Sequence, residues 1–427
     1  MNIHEALDTR FDRPGNLDTL VIGAGLAGLI SAHEAARAGL RVAVVEGGPV
    51  GGRARTTTRA GFALNQGPHA VYDTGELAGA LARFGVTVTG GSPNDLVGMV
   101  VDRGVLHRLP VAPKDLLTTQ VLGARGRAGF ARLFAGLSRG DASRFRGVSV
   151  DDWLASRSSD LARLVRTLVR TTTYCSATDL LSAEATILQL RRVIAGVTYV
   201  DGGWQHLVDQ LRVGLDRAGV PVVRARPRRS VPFPTVGRST SARRLDHRSD
   251  RGPRGGEPGR GVLADRVRHA GRRAGRRGGL PDLLLDRPAD ELGVGLEWRC
   301  TARPTRPSRP APDGHGLVSV MRYLGAGEDP EDPGTEQDRL VRFAAFAGVE
   351  PASIRDRRYL HRMTVAHGMP VAASGGLLGR PEVRVGPAGL FRAGDWVGET
   401  GMLADASAAS ATRAAVEAVA HCAKVDA

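Results

Sequence analysis

Three glycines spaced Gly23-x-Gly25-x-x-Gly28 separate an apolar run, LDTLVIG at 17–23, from LAGLISAHEAARAG at 26–39, whose small and apolar residues recur at helical spacing. Gly23 permits a tight turn, Gly25 lets the main chain approach a pyrophosphate, and Gly28 lets a helix lie close to a strand. A helix starting there directs free N–H groups and a positive dipole end at phosphate oxygens. Glu46 closes the next apolar run, LRVAVVE, 18 residues beyond Gly28. A carboxylate at that place accepts hydrogen bonds from both hydroxyls of an adenosine ribose and repels a 2′-phosphate. The chemistry indicated is dinucleotide binding; the plain alternative is a glycine-rich turn.

Two further constellations extend this reading. Gly51, Gly52, Arg53 and Thr56 follow Glu46 directly. The second glycine pair allows more backbone to close on a dinucleotide, and Arg53 can neutralise phosphate charge; alone, the stretch would read as a flexible loop with a solvated Arg. Near the far end stand Gly394, Asp395 and Trp396, then Gly401 and Met402 before an alanine-rich run. An Asp at a strand end can bind a ribityl or ribose hydroxyl. A helix beginning near Gly401 would offer its N-terminus to an electron-rich atom, such as the N1–O2 locus of a reduced flavin. A simply capped C-terminal helix is the competing reading.

The elements that must position these residues are legible on either side of the middle. Residues 18–46 form one strand–helix–strand unit, which demands a parallel sheet. Residues 113–200 read as mostly helical, with long runs at 112–139 and 149–174. Ser149 is placed to cap the second run, with Asp152 at its third helical position. Residues 202–223 read as helix then strand, and 389–420 as strand (GLFRAG), turn and helix. The length suits two domains.

Charge is unevenly spread. The formal net is +15, and only Lys114 and Lys424 are lysines. Residues 224–315 hold 22 Arg against ten acids, so the remainder is nearly neutral. A nucleic-acid partner would need stacking aromatics, and this stretch has only Phe233 and Trp298; no nucleic-acid partner is expected. Cys175, Cys300 and Cys422 form no C-x-x-C pair, which excludes a zinc knuckle and suits a reducing, cytoplasmic setting. The polar N-terminus does not read as a secretory signal, and no apolar run is long enough to cross a membrane. No metal site is expected.

Taken together, VIGAGLAGL, VVE, GGRART and LFRAGDWVGETGMLADASAASATRAA resemble the flavin-containing amine oxidase and phytoene desaturase superfamily. NQGPHAVY at 65–72 and YVDGGWQHLVDQL at 199–211 share the likeness, which covers 18–223 and 316–420. The resemblance implies an α/β fold: a Rossmann-type FAD-binding domain assembled from both chain ends, with an inserted α+β substrate domain. On this division the FAD domain takes 18–112, 202–223 and 376–421, and the substrate domain 113–201 and 316–375. Gly23, Gly25, Gly28, Glu46, Gly51, Gly52 and Arg53 would hold the adenosine diphosphate part. Gly394 and Asp395 would hold the ribityl chain, and Gly401 and Met402 would bring the Met402 N–H to the flavin ring. The implied activity is dehydrogenation of a C–N or C–C bond by hydride transfer to flavin N5. No Cys lies between 301 and 421, so noncovalent FAD is expected. A small apolar or amine substrate, an unspecified electron acceptor and peripheral membrane contact complete the expectation.

The sequence departs from the family at 224–315, where strands of both domains are expected and an Arg-, Pro- and Gly-rich stretch stands instead. Two compensating changes of reading frame in a GC-rich gene would explain both edges of the stretch; a lineage-specific basic insertion is the alternative. Loss of a central strand would leave its neighbours' main-chain groups unpaired, so a defective relative binding little FAD is a further reading. Of the remaining candidates, His69, Tyr174, Cys175, Phe391 and Trp396 read more readily as structural than as site residues.

Overall fold

A computed structural model describes residues 17–91, 98–224, 266–267, 283–285, 297–299, 317–325, 328–346, 348–361 and 363–425. The strand–helix–strand unit forms as its pattern requires: β1 Thr19–Ile22, α1 Leu26–Arg37 and β2 Val42–Glu46. The strands pair in parallel with Thr19 opposite Val42. The apolar run of β2 is buried from Val42 to Val45, while α1 buries Leu29, Ile30, Ala32, His33 and Ala35.

The chain continues through the hairpin β3 Thr56–Arg59 and β4 Phe62–Asn65, then β5 Val71–Tyr72 and α2 Glu76–Arg83. Short β6 Gly90–Gly91 and the hairpin β7 Met99–Asp102 with β8 Val105–Arg108 lead into the helical region. That region holds α3 Pro113–Thr118, α4 Ala124–Arg139, α5 Val150–Leu154, α6 Ser159–Thr173 and α7 Ala183–Ala195. After β9 Val197–Val200 come α8 Gln205–Arg217 and β10 Val222–Arg224, which pairs in parallel on the other side of β2. The parallel sheet therefore runs β1–β2–β10. Next to it, α1, α2 and α8 share one core with the last helix, α10, at Leu403–Val425. The alanines of α10 allow a close approach, and Ser31 of α1 donates to the Ala411 carbonyl at 3.3 Å. A second core lies in the helical region, and a third joins β14 Leu317–Ser319 to α9 Pro333–Ala345.

Several expectations are corrected in detail. The run at 112–139 is two helices, broken at 119–123, where the Gly123 amide donates to Asp160 at 2.7 Å. The run at 149–174 is likewise two helices, α5 and α6. The region also contains a helix and a strand, α7 and β9, that the sequence reading merged into one helical block. GLFRAG makes no ladder: Phe391 forms a single bridge with Arg384. A strand needs an unbroken partner, and the turn at Pro387–Leu390 folds the segment back on 383–385 instead.

Most of the anomalous 224–315 stretch lies outside the described residues. Three short strands within it are described. β11 Arg266–Val267 is antiparallel to Met363–Thr364, β12 Leu283–Leu285 is parallel to β7, and β13 Glu297–Arg299 is antiparallel to β14. Among the described residues β1 pairs with β2 alone, and Ile22 at its end is 46% exposed.

Candidate functional site

The glycine loop has the shape its sequence demands. Gly23 sits at φ +101°, a conformation strained for any residue with a Cβ. A Cβ on Gly28 would overlap the Gly23 carbonyl, so only glycine lets α1 seat against the loop. Gly25 precedes α1 in extended conformation, and α1 has no side-chain cap. Its first-turn amides therefore remain available to an anion. Around Gly25 a Cβ would meet nothing within 4 Å, which leaves the open cradle a pyrophosphate needs.

The second glycine pair closes on the first. The Gly51 amide donates to the Ala24 carbonyl at 2.8 Å, and a Cβ on Gly52 would come within 3.5 Å of the Gly25 Cα. Glu46 stands beside both loops: its Oε2 accepts from the Ala24 amide and its Oε1 from the Gly48 amide, each at 2.7 Å. The carboxylate is thus fixed by main chain at the loop where an adenosine ribose would lie.

Arg53 then reaches across 342 residues of sequence to Asp395. Its Nη2 lies 2.5 Å from Oδ1 and its Nη1 3.1 Å from Oδ2, a bidentate pair, while Nη1 also donates to the Val365 carbonyl. His367 supplies two more contacts: its amide donates to Oδ2 at 2.8 Å, and its ring Nδ1 is 3.1 Å from Oδ1. Asp395 is 3% exposed. Burial opposes its charge, but His367 and Arg53 outweigh that penalty and hold its carboxyl well below the usual range. Arg53 therefore neutralises this buried carboxylate, a partner that spacing alone does not reveal. A ribityl hydroxyl reaching Asp395 would share oxygens that Arg53 and His367 already engage.

Gly394 leads into this aspartate and is tied to α10, its amide donating to the Ser410 hydroxyl at 2.9 Å. At the start of α10, Gly401 has φ +69° and Leu403 φ +55°. A leucine in that region is strained, and such residues concentrate at functional turns. The Met402 carbonyl accepts from Asp405 and Ala406, whereas the amides of Leu403 and Ala404 have no partner among the described residues. Met402 itself is buried in the core of the helical region, so the N-terminus of α10 lies where the two parts of the fold meet.

Other candidates fall into place as packing. The His69 Nδ1 is 2.7 Å from the Gly67 carbonyl, and the ring lies 4.6 Å from that of Trp204. Burial pushes its pKa down to about 4. Cys175 is buried against Met369, and Tyr174 lies beside Tyr323. Phe391 and Trp396 pack on Val383, Val397 and Ala414. Tyr174 and Val365 flank the buried pair Met321 and Tyr323, forming an apolar wall next to the carbonyl that holds Arg53. Sequence reasoning missed three participants: His367, the Val365 carbonyl, and Arg380, whose Nη1 donates to the Gly401 carbonyl at 2.8 Å. No local pattern marks them, because each acts through a contact made only on folding.

The description "NAD(P)-binding Rossmann-like domain" matches residues 21–84. Among solved structures, an oxidoreductase from Methanosarcina mazei aligns over 92% of this chain and 98% of its own, at 18% identity and a TM-score of 0.69. Cyclohexylamine oxidase from Brevibacterium oxydans IH-35A aligns over 96% and 100%, at 14% identity and a TM-score of 0.59. The chain shares its fold with these structures. A reduced UDP-galactopyranose mutase also aligns, over 96% and 98%, at 14% identity and a TM-score of 0.59. No curated protein matches the sequence. Among the described residues, no helix is long and apolar enough to cross a membrane.

Proposed function

We propose that the chain is an FAD-dependent oxidoreductase that dehydrogenates a C–N or C–C bond of a small, largely apolar substrate or amine. One observation carries this reading: Arg53, from the loop after β2, pairs with Asp395, from the turn before α10, so the motifs at the two chain ends form one site. The residues fit a flavin dinucleotide. Gly23, Gly25 and Gly28 with the uncapped start of α1 would hold the diphosphate, with Gly51 and Gly52 behind it. Glu46 would take the ribose hydroxyls, Gly394 and Asp395 would take the ribityl chain, and Gly401 and Met402 would set the amides of α10 near the ring. Bound FAD would supply the acceptor for a hydride leaving a substrate carbon.

The chain's own contribution is position and field. The first turn of α10 directs a positive dipole end at the place where negative charge would gather. Asp395 stays ionised and locks Arg53, and His69 stays neutral at pH 7. The cluster of Tyr174, Met321, Tyr323 and Val365 would offer an apolar substrate an apolar surface. Peripheral membrane contact would use exposed Val111 and Leu117 beside Lys114. No cysteine follows the ring position before Cys422, which favours noncovalent attachment.

The test is anaerobic mixing of the flavin-loaded protein with a primary amine, a polyene or a porphyrinogen. One of these should bleach the flavin. Loaded protein that dithionite reduces but none of the three bleaches would refute the activity. A second reading, a defective relative, is favoured by the single pairing of β1 and its exposed Ile22; it requires less than one flavin per chain even with FAD in excess.

A further inference from the structure

Arg380 is 9% exposed, and its partners do not account for a buried cation. Nη1 donates to the Gly401 carbonyl, while Nε and Nη2 are buried without a partner among the described residues. Burial pulls its pKa down to about 10, opposed by the charge of Asp395, so it carries a full charge at neutral pH. Among the described residues Asp395 is the one opposing charge of note, and that carboxylate already accepts from Arg53 and His367. The acid in the first turn of α10, Asp405, does not balance it, because its carboxylate accepts from the Leu77 amide on α2. A buried guanidinium is thus held at Gly401, two residues before the first free amide of α10, at the positive end of a 23-residue helix. Two like-signed fields share one spot, an arrangement that costs stability unless an anion answers it.

We propose that Arg380 is an electrostatic positioning residue that answers negative charge on the N1–C2=O2 edge of the flavin. The inference rests on the FAD reading above and extends it to one residue. Arg380 would act through its charge: the Gly401 carbonyl anchors it, and the amides of Leu403 and Ala404 would make the contact. Sulfite tests this without turnover. Its lone pair adds to flavin N5, forming an S–N bond and placing negative charge on N1–C2=O2, and the adduct loses the flavin's colour.

The experiment compares the FAD-loaded wild type with R380M and R380K, reading FAD stoichiometry, sulfite dissociation constant and midpoint potential. R380M keeps apolar bulk and loses the charge; R380K keeps the charge. R380M should bind one FAD per chain but weaken sulfite binding about tenfold or more, the scale of one charge-assisted interaction. Its potential should fall by about 30 mV for each tenfold, as for a two-electron couple. R380K should stay near wild type in both. If R380M loads FAD with unchanged sulfite affinity and potential, the inference fails and the FAD reading stands. If both variants weaken sulfite binding equally, the role is structural and the inference fails. If the folded wild type takes up no FAD, the reading and the inference fail together.

Discussion

Asp405 should be a stability liability above its own pKa, and Asp405→Asn should remove it. The side chain is buried at the start of α10, with Oδ1 accepting from the Leu77 amide at 3.0 Å and Oδ2 unpartnered among the described residues. Gly75 leaves room for it, since a Cβ there would collide with the carboxylate. Burial raises its pKa from 3.8 to about 6, although the Leu77 amide and the Arg192 charge pull it down. The folded state therefore holds its proton more tightly than the unfolded state. This contribution is complete below about pH 4, is lost as pH rises through about 6, and stays lost above that. At about 1.4 kcal/mol per unit, the full swing is about 3 kcal/mol. Asn accepts from Leu77 equally well and never ionises. Urea unfolding at about pH 4.5 and about pH 7.5 measures it: part of the swing is already lost at the lower pH, so the stability of D405N relative to wild type should rise by about 2 kcal/mol between the two. A difference independent of pH, or one that falls toward alkaline pH, would refute the reasoning.

Gly28→Ala must push α1 off the Gly23 carbonyl. A loss of roughly 1–3 kcal/mol in thermal or urea stability and a large loss of FAD affinity should follow; unchanged affinity would place the dinucleotide elsewhere. Asp395→Asn leaves Arg53 without its counter-charge. Because Arg53 is 36% exposed, urea unfolding should show a cost of roughly 2 kcal/mol, below that of breaking a fully buried pair. His69 should titrate near pH 4 by proton NMR, and a midpoint near 6.5 would show that burial does not control it.

What the sequence made legible follows from how local each signal is. The βαβ unit could be read because β2 is buried on both faces and α1 on one, so burial imprints a continuous run and a helical period. The cap of α5 was equally plain: the Ser149 hydroxyl accepts from the Asp152 amide at 3.0 Å, a three-residue signal. The breaks in the long helical runs were not legible, since the break before α4 is held by Asp160, 37 residues away. GLFRAG looked like a strand because its composition suits one, but a ladder is a property of two segments and its partner was not forthcoming. In the site, Gly23 to Arg53 could be placed from spacing alone. The pairing of Arg53 with the buried Asp395 could not be read from spacing, and His367 and Arg380 join through contacts that only the folded chain creates.

The central claim is that both chain ends build one flavin dinucleotide site. The absorption spectrum of the purified, folded chain after incubation with excess FAD and removal of free nucleotide tests it most directly. A yellow protein carrying one FAD per chain, with Gly28→Ala colourless, is the expected result. A folded wild-type chain that stays colourless would contradict the account.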